Sequence, residues 1–466
     1  MPNHSYFLFE GSALITLTSL MEYITIYDYL LLPVYLFAFY FLISMKSKKY
    51  EGTQLKKYFN TAFFLHMGGS VMYCMIIQYY YGYGDSFGFF QGSNFIRNVI
   101  NTTGDPFSPF FMSGTDFGNL YTVTGGDYAL PTGIEVVSNL TIMKISAALS
   151  YVSFNSYLII SLFFGLFSFT GLWKLFKTLN NIYEKKSERL LAFAILYTPS
   201  ICFWGSGLIK DTICLGSLGF IIYYGYKIFI QKKIRFMDPV LLLLLFYLLF
   251  IVKSYLAIGL MVSVVLAYVI NIISRSKKSV FKLMVVTFIV LLSATILIAS
   301  LSSTLGSIIE DSKNNIETFK GAYASLDDEK GITEFGTANA DISIPGILLR
   351  SPLAVFTTLY RPFLWESDKL VMLLSALESL LTLLLTIFVL AKCRIWKFFY
   401  YIFSDPYLFF CFTFTILMGV LIGLSTFNFG TLVRYRMPIL PFYFFMLLSI
   451  YIKNKEAQNQ LANIKN

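Results

Sequence analysis

Charged residues are scarce in this chain. Asp, Glu, Lys and Arg make up 13% of its 466 residues, whereas soluble proteins carry about 25%. Hydrophobic residues account for 56%, and the mean hydropathy is +0.67. This composition argues against an ordinary soluble domain and predicts an all-α polytopic membrane protein.

Histidine and paired cysteines are also lacking. The two histidines, His4 and His66, argue against a His-rich metal site or a Ser–His–Asp triad. The five cysteines lie in or beside apolar segments without paired spacing, so neither a disulfide framework nor a zinc site is expected. There is no Walker A motif, G-x-S-x-G or H-E-x-x-H, so ATP-driven transport and zinc-dependent hydrolysis lose support. The first 26 residues lack a signal-peptide pattern, and no cleaved leader is expected.

Long apolar runs fill most of the chain instead. A bilayer core needs about 20 apolar residues as helix. By that rule we predict eleven spans, at about 29–45, 58–80, 151–173, 189–207, 212–230, 238–253, 256–274, 279–300, 367–390, 407–425 and 437–452. Pro199, Gly205 and Gly207 indicate that the fourth span is broken.

The spans predict four regions. Residues 1–57 form an N-terminal segment with one extra transmembrane helix, and residues 58–300 form a transmembrane module whose first outer loop is 81–150. Residues 301–366 form a second outer loop, and 367–466 hold the last spans and a cytoplasmic tail.

Lysine and arginine set the predicted orientation. The connections on one side carry 24 of the 36 basic residues but only six of the 26 acidic ones. Basic loops stay in the cytoplasm, so both large loops are expected outside and the C-terminus inside. The net charge of +10 is then a consequence of topology and not of nucleic-acid binding.

Asp85 is the catalytic candidate. It lies in YYYGYGDSFGFFQGS, where an apolar run stops and the first large loop begins. A carboxylate at the bilayer edge can serve as a general base for a hydroxyl that attacks a lipid-borne substrate. An Asp in a Gly-Asp-Ser turn is the plainer alternative. Two apolar-rich stretches of this loop, Ser93–Asn101 and Glu135–Leu149, are predicted to lie in the interface as short helices.

Other charged side chains are candidates for substrate binding. Arg434 and Arg436 lie on the side where positive charge is disfavoured, and arginine suits bidentate phosphate binding. Snorkelling at a helix end is the competing explanation. The full set of substrate-binding candidates is Arg97, Lys210, Asp211, Arg361, Glu366, Arg434 and Arg436.

The order of these segments resembles the GT-C glycosyltransferases, polytopic enzymes that take sugars from polyprenyl-phosphate donors. The resemblance covers about 58–452: a helix, a large loop opened by an acidic residue with two interfacial helices, several hairpins and a second large loop. FWGSGLIKD and RYRMPILPF also look like stretches of bacterial members. Where the family often has Asp-Glu, this chain has Asp85 and Ser86.

The resemblance implies roles for these residues. Asp85 would be the base, or a ligand in branches that use a divalent metal, and Arg434 or Arg436 would hold the donor phosphate. The donor would be a polyprenyl-phosphate-linked sugar, and the acceptor a glycan, lipid or protein. An Ile-, Lys-, Asn-, Tyr- and Phe-rich composition fits an AT-rich bacterial genome and hence a plasma-membrane protein of envelope synthesis.

Two other functions remain open. An O-antigen-type polymerase or ligase would rely on outer arginines, which Arg361, Arg434 and Arg436 also fit. A transporter without catalysis would be expected to show an internal repeat and charges deep within its spans. The sequence shows no repeat, and the interior of most predicted spans lacks charge, with Lys253 and Glu378 as the exceptions.

Overall fold

The structure, a computed structural model, describes residues 23–123, 130–184, 187–275, 344–367, 370–426 and 428–465. Within these ranges every regular element is a helix. The α-helices, numbered in chain order, are α1 Ile26–Ser47, α2 Gln54–Ile76, α3 Asp85–Thr103, α4 Ser108–Phe111, α5 Gly114–Val123, α6 Val137–Val152, α7 Tyr157–Ile182, α8 Glu188–Leu196, α9 Pro199–Trp204, α10 Lys210–Gly225, α11 Met237–Val252, α12 Ser254–Arg275, α13 Ile344–Tyr360, α14 Leu370–Cys393, α15 Ile395–Ser404, α16 Pro406–Ser425, α17 Phe429–Arg436 and α18 Leu440–Lys465.

Seven of these helical segments are long and apolar enough to cross a bilayer, so the chain is a multi-pass membrane protein. They are Ile26–Tyr50, Gln54–Tyr81, Tyr157–Ile182, Lys210–Ile230, Ser254–Ile272, Val371–Cys393 and Pro406–Ser425. An eighth is formed if α17 and α18, which are bent by 61° relative to each other, count as one broken span.

The expected count of eleven is therefore not confirmed. The predicted span 189–207 is two short helices, α8 and α9, because Pro199 cannot continue the hydrogen bonding of α8. The predicted span 238–253 is the 16-residue helix α11. The span 279–300 and most of the second large loop, 301–343, lie outside the described residues. The apolar end of that loop is helix α13.

The chain forms two compact units. The first comprises 1–173 with 202–219, and the second comprises 174–201 with 220–466. The boundaries predicted from the sequence at 57, 300 and 366 stay predictions.

In the first unit, helices α7 and α10 cross at glycines. A Cβ on Gly171 would lie 2.2 Å from the Gly216 carbonyl oxygen, and one on Gly219 would lie 2.2 Å from the Gly171 carbonyl oxygen. Only residues without a side chain fit this crossing. Small residues that let backbones approach are the usual means of packing helices in a bilayer, where hydrophobic burial supplies little attraction.

The first large loop contains two longer helices that pack on each other. Ser93–Asn101 falls inside α3, and Glu135–Leu149 largely inside α6, so both stretches are helical as expected. Gly92 of α3 lies against Met143 of α6, where a Cβ would approach the sulfur to 2.4 Å. Their placement in the membrane interface stays a prediction.

In the second unit, α13 lies along α16. A Cβ on Gly423 would lie 2.3 Å from the Ala354 carbonyl oxygen. One turn further along α13, the Thr358 hydroxyl donates to the Gly419 carbonyl at 2.8 Å. This close packing fixes the end of α13, and with it the segment that carries Arg361.

Candidate functional site

Asp85 is the first residue of α3 and is exposed. The apolar helix α2 continues as a π-helical turn through Tyr81, and the chain then reverses at Gly82, with φ of 71°, and Gly84, with φ of 155°. These backbone angles favour glycine. Asp85 lies in the first turn of α3, where a helix carries a partial positive charge.

Two aromatic side chains fix the first turn of α3. The Ser86 hydroxyl and the buried Tyr157 hydroxyl at the start of α7 share a 2.7 Å hydrogen bond. The ring of Tyr23 stacks on Phe87, with ring centroids 4.0 Å apart. Asp85 is thus an exposed carboxylate on a firmly packed turn, and not part of a loose loop.

A second carboxylate, Asp28, is buried in the first turn of α1. It accepts hydrogen bonds from the Thr25 backbone N–H and hydroxyl, both at 2.8 Å, and from the Ser156 hydroxyl. Asp28 was not among the candidates predicted from the sequence, although Thr25-x-x-Asp28 is a capping-box pattern that can be recognised there. Its hydrogen bonds are those of a helix cap.

Of the other candidates of the first unit, Arg97 and Lys210 have partners within that unit, and Asp211 is buried. Arg97 lies about 18 Å along α3 from Asp85, at 1.5 Å per residue, and its guanidinium lies 5.5 Å from the Tyr151 ring centroid. Lys210 donates to the Ser138 hydroxyl of α6 at 2.8 Å. Asp211 is 1% exposed. Arg97 and Asp85 therefore lie towards opposite ends of one helix.

Exposed aspartates elsewhere in the first large loop act as turn caps. The backbone N–H groups of Phe107 and Ser108 hold the pKa of Asp105 below its ordinary value. The Ser113 backbone and hydroxyl do the same for the pKa of Asp116. Both carboxylates have local structural roles, which makes them suitable comparisons for Asp85.

In the second unit, Glu378 is a buried carboxylate inside an apolar span. It lies about 10 Å along α14 from Val371 and is 7% exposed. It accepts hydrogen bonds from the Ser200 backbone N–H at 2.8 Å and the Ser200 hydroxyl at 2.7 Å. The break at Pro199 leaves amide groups of α9 without partners in the preceding helix, and Glu378 satisfies one of them.

Arg436 balances the charge of Glu378. The guanidinium is 1% exposed, and its Nη2 lies 3.7 Å from a Glu378 oxygen. Its Nη1 donates to the Arg361 carbonyl at 2.8 Å, and its Nη2 donates to the Ser375 carbonyl at 3.5 Å. This side chain ties the end of α17 to α14 and to the segment after α13. In this arrangement its guanidinium is directed at protein groups.

Arg361 and Glu366 form a pair of their own. The Arg361 Nε donates to Glu366 at 3.0 Å, and a second nitrogen of the guanidinium also contacts the carboxylate. The Phe363 backbone N–H donates to Glu366 at 2.8 Å. The guanidinium lies 5.1 Å from the Phe429 ring centroid of α17. Glu366 therefore orients Arg361 towards the start of α17.

Two further cations share the ring of Tyr435. Lys253, which is 7% exposed, has its Nζ 3.9 Å from the Tyr435 ring centroid. The Arg434 guanidinium lies 5.5 Å from the same centroid. The attraction of a cation to the face of an aromatic ring offsets part of the free energy that is lost when the cation is removed from water. The second unit therefore gathers Arg361, Arg434, Arg436 and Lys253 around α17.

The proposed single site needs residues of both units. Asp85, Arg97, Lys210 and Asp211 belong to the first, and Arg361, Glu366, Arg434 and Arg436 to the second. The assignment of all of them to one substrate stays a prediction. Among the residues that the structure describes, no group of three or more His, Cys, Asp or Glu side chains is placed to hold a metal ion.

No protein-family model, curated protein or solved structure matches this chain.

Proposed function

We propose that this protein is a bacterial plasma-membrane glycosyltransferase that moves a sugar from a polyprenyl-phosphate donor to an extracytoplasmic glycan, lipid or protein acceptor. The observation that carries the proposal is Asp85. It is an exposed carboxylate on a rigid helix turn that directly follows an apolar span. A lipid-linked substrate presents its reacting atoms at this boundary between hydrocarbon and water.

The proposed reaction needs few protein groups. Asp85 accepts the proton of the acceptor hydroxyl as its oxygen attacks the anomeric carbon of the donor. The bond from that carbon to the phosphate oxygen breaks, and polyprenyl phosphate leaves with the electron pair. A phosphate leaving group needs no strong acid, because cations stabilise its charge. The second unit holds cations of this kind around α17, among them Arg434, Arg361 and Lys253.

The proposal includes a topology. The basic connections are placed in the cytoplasm, so that Asp85 and the first large loop face outwards and the C-terminus faces inwards. The bilayer is the environment of the apolar helices.

The test compares lipid-linked glycans in cells that lack the protein with those in cells that carry Asp85→Asn. Asn keeps the size of the side chain but cannot act as the base. We expect the two strains to show the same missing glycan. Asp105→Asn is the matched control, because Asp105 is an exposed aspartate of the same large loop whose carboxylate caps a turn. Normal glycans in the Asp85→Asn strain would refute the proposed mechanism.

A second candidate function is a polymerase or ligase that acts on lipid-linked glycans. It is favoured by the four cations around α17 in the second unit. Such an enzyme would depend on arginine and not on Asp85. Normal glycan assembly in Asp85→Asn cells, together with its loss in Arg434→Gln cells, would favour this candidate over the first.

A further inference from the structure

An apolar groove lies within the second unit, bordered by α13, α14, α15, α16 and α18. Its volume is about 280 Å³, close to the lower end of the range for small-molecule sites. Apolar and aromatic side chains form most of its wall, among them Val355, Phe356, Leu390, Phe399, Ile416 and Met446. The helices that border it include two of the candidate membrane spans, α14 and α16.

The hydroxyl groups in the wall are mostly occupied with each other. The Tyr443 hydroxyl makes 2.7 Å hydrogen bonds with the Tyr360 hydroxyl and with the Thr386 hydroxyl. The Thr415 hydroxyl is the lining hydroxyl that has no partner among the described residues. A sugar or another polar ligand would leave many of its own groups without partners here. The groove is therefore suited to a hydrocarbon chain.

Helix α15 contributes Ile395, Phe398 and Phe399 to the groove wall and has one buried face and one exposed aromatic face. Phe398 and Ile402, four residues apart, are buried. Trp396, Tyr400 and Phe403 are exposed. A short helix with exposed aromatic residues and a basic flank is typical of the membrane interface, where its axis lies in the plane of the bilayer. The groove thus extends from the interior of the helix bundle to the depth of lipid headgroups.

Three exposed cations lie close in sequence to wall residues of α14 and α15: Lys392, Arg394 and Lys397. They alternate in sequence with lining residues, since Leu390, Ile395 and Phe398 belong to the wall. No carboxylate of the described residues pairs with any of the three. An apolar groove flanked by positive charge that no described carboxylate neutralises is complementary to a lipid with an anionic headgroup.

We propose that this groove is a binding site for an anionic phospholipid of the surrounding membrane. One acyl chain occupies the groove, and the phosphate lies against Lys392, Arg394 and Lys397. Basic pockets between transmembrane helices are known sites for anionic headgroups. The inference does not depend on the proposed catalytic activity, because Asp85 and the cations around α17 have no part in it.

The test measures lipid retention by native mass spectrometry on the full-length protein in detergent. After delipidation, the protein is titrated with phosphatidylglycerol or with phosphatidylcholine of the same acyl chains. We expect one phosphatidylglycerol to be retained at concentrations that leave phosphatidylcholine unbound. Each cation near an anionic lipid contributes about fivefold in affinity, so the triple variant Lys392→Gln, Arg394→Gln, Lys397→Gln should weaken retention on the order of 100-fold.

Two control variants allow the cations and the apolar groove to be tested separately. The triple variant Lys232→Gln, Lys233→Gln, Arg235→Gln removes the same number of exposed cations from another connection of the second unit. It should retain phosphatidylglycerol like the unaltered protein. Ile416→Trp fills the groove and should weaken retention at least tenfold. Leu417→Trp, one residue further along α16 and outside the groove wall, should not.

The following results would overturn the proposal or part of it. Equal retention of both lipids, or loss of phosphatidylglycerol in both cation variants alike, would overturn the proposal. A third titration uses a polyprenyl phosphate, and preferential retention of that lipid over phosphatidylglycerol would overturn the choice of a phospholipid. If Ile416→Trp does not elute as a single species on size exclusion, the comparison of the two cation variants decides alone.

Discussion

Loss of the Glu378 charge should destabilise the second unit strongly. Glu378→Gln keeps the shape of the side chain and one oxygen acceptor for Ser200. It leaves the Arg436 guanidinium, which is 1% exposed, without a counter-charge. Removal of one partner of a buried ion pair costs about 3–5 kcal/mol. A hydrogen bond between helices in a membrane contributes less than such an ion pair, about 1 kcal/mol. We expect a loss of about 3 kcal/mol in the free energy of unfolding.

The assay is reversible unfolding in mixed micelles, followed by circular dichroism. The double variant Glu378→Gln, Arg436→Gln removes both charges and should recover part of the lost stability, since no unpaired charge remains. Glu51→Gln is the matched control. The Glu51 carboxylate lies 3.1 Å from Lys56, closer than the 3.7 Å of the buried pair, but its side chain is 71% exposed.

Exposed pairs contribute about 0–1 kcal/mol because water screens them, so Glu51→Gln should have little effect. If Glu378→Gln lowers the free energy of unfolding by less than about 1 kcal/mol, the view is refuted that burial, and not distance, decides how much this pair contributes to stability.

Three other predictions concern packing, capping and the support of Asp85. Gly423→Ala places a Cβ 2.3 Å from a backbone oxygen of α13, so it should cost about 1–3 kcal/mol of stability and lower the melting temperature. Gly225→Ala is the control, because a Cβ there meets nothing within 4 Å, and its melting temperature should be unchanged. The pKa of Asp116 is depressed by its hydrogen bonds from Ser113, so its contribution to stability is present above its ordinary pKa and is lost as the pH falls through the depressed value. Asp116→Asn lacks this contribution at every pH, so proteolysis of the first large loop should be faster than in the unaltered protein at neutral pH and should increase less as the pH falls. Tyr157→Phe removes the hydrogen bond to α3 and should lower glycan synthesis several-fold with normal expression on immunoblots.

Much of the fold could be predicted from the sequence because apolar run length is a local signal. Runs of about 20 residues placed α2, α7 and α16 close to their observed positions. Pro199 indicated a broken span, and two short helices are found there. The amphipathic stretches after Asp85 indicated helices, and α3 and α6 contain them.

The contacts of the second unit could not be predicted in the same way. Glu378 and Ser200 are 178 residues apart in the sequence. A single sequence does not show which residues so far apart form hydrogen bonds with each other. The stretch NFGTLVRYRMP before the last span contains the short helix α17, whose first turn is capped by the Asn428 side chain, which accepts from the Gly430 backbone N–H at 2.7 Å.

The types of the candidate residues could be predicted from the sequence, but the groups that they contact could not. Arginines on the predicted outer side suggested phosphate binding, and Arg434 and Arg361 lie near aromatic rings of α17. Arg436 is instead buried against Glu378 and two carbonyl groups. A transporter would be expected to show charges inside its spans, and Glu378 is one, although here Arg436 and Ser200 compensate it.

The most direct test of the central claim is the rate of glycan formation in isolated membranes that carry equal amounts of the unaltered protein, Asp85→Asn or Asp105→Asn. Membranes from cells lacking the protein identify the missing product by mass spectrometry, and its formation is then timed with endogenous lipid-linked donors. If Asp85 is the general base, Asp85→Asn lowers the rate about 10²–10⁴-fold, and Asp105→Asn leaves it unchanged. Equal rates in Asp85→Asn and unaltered membranes would contradict the proposed role of Asp85.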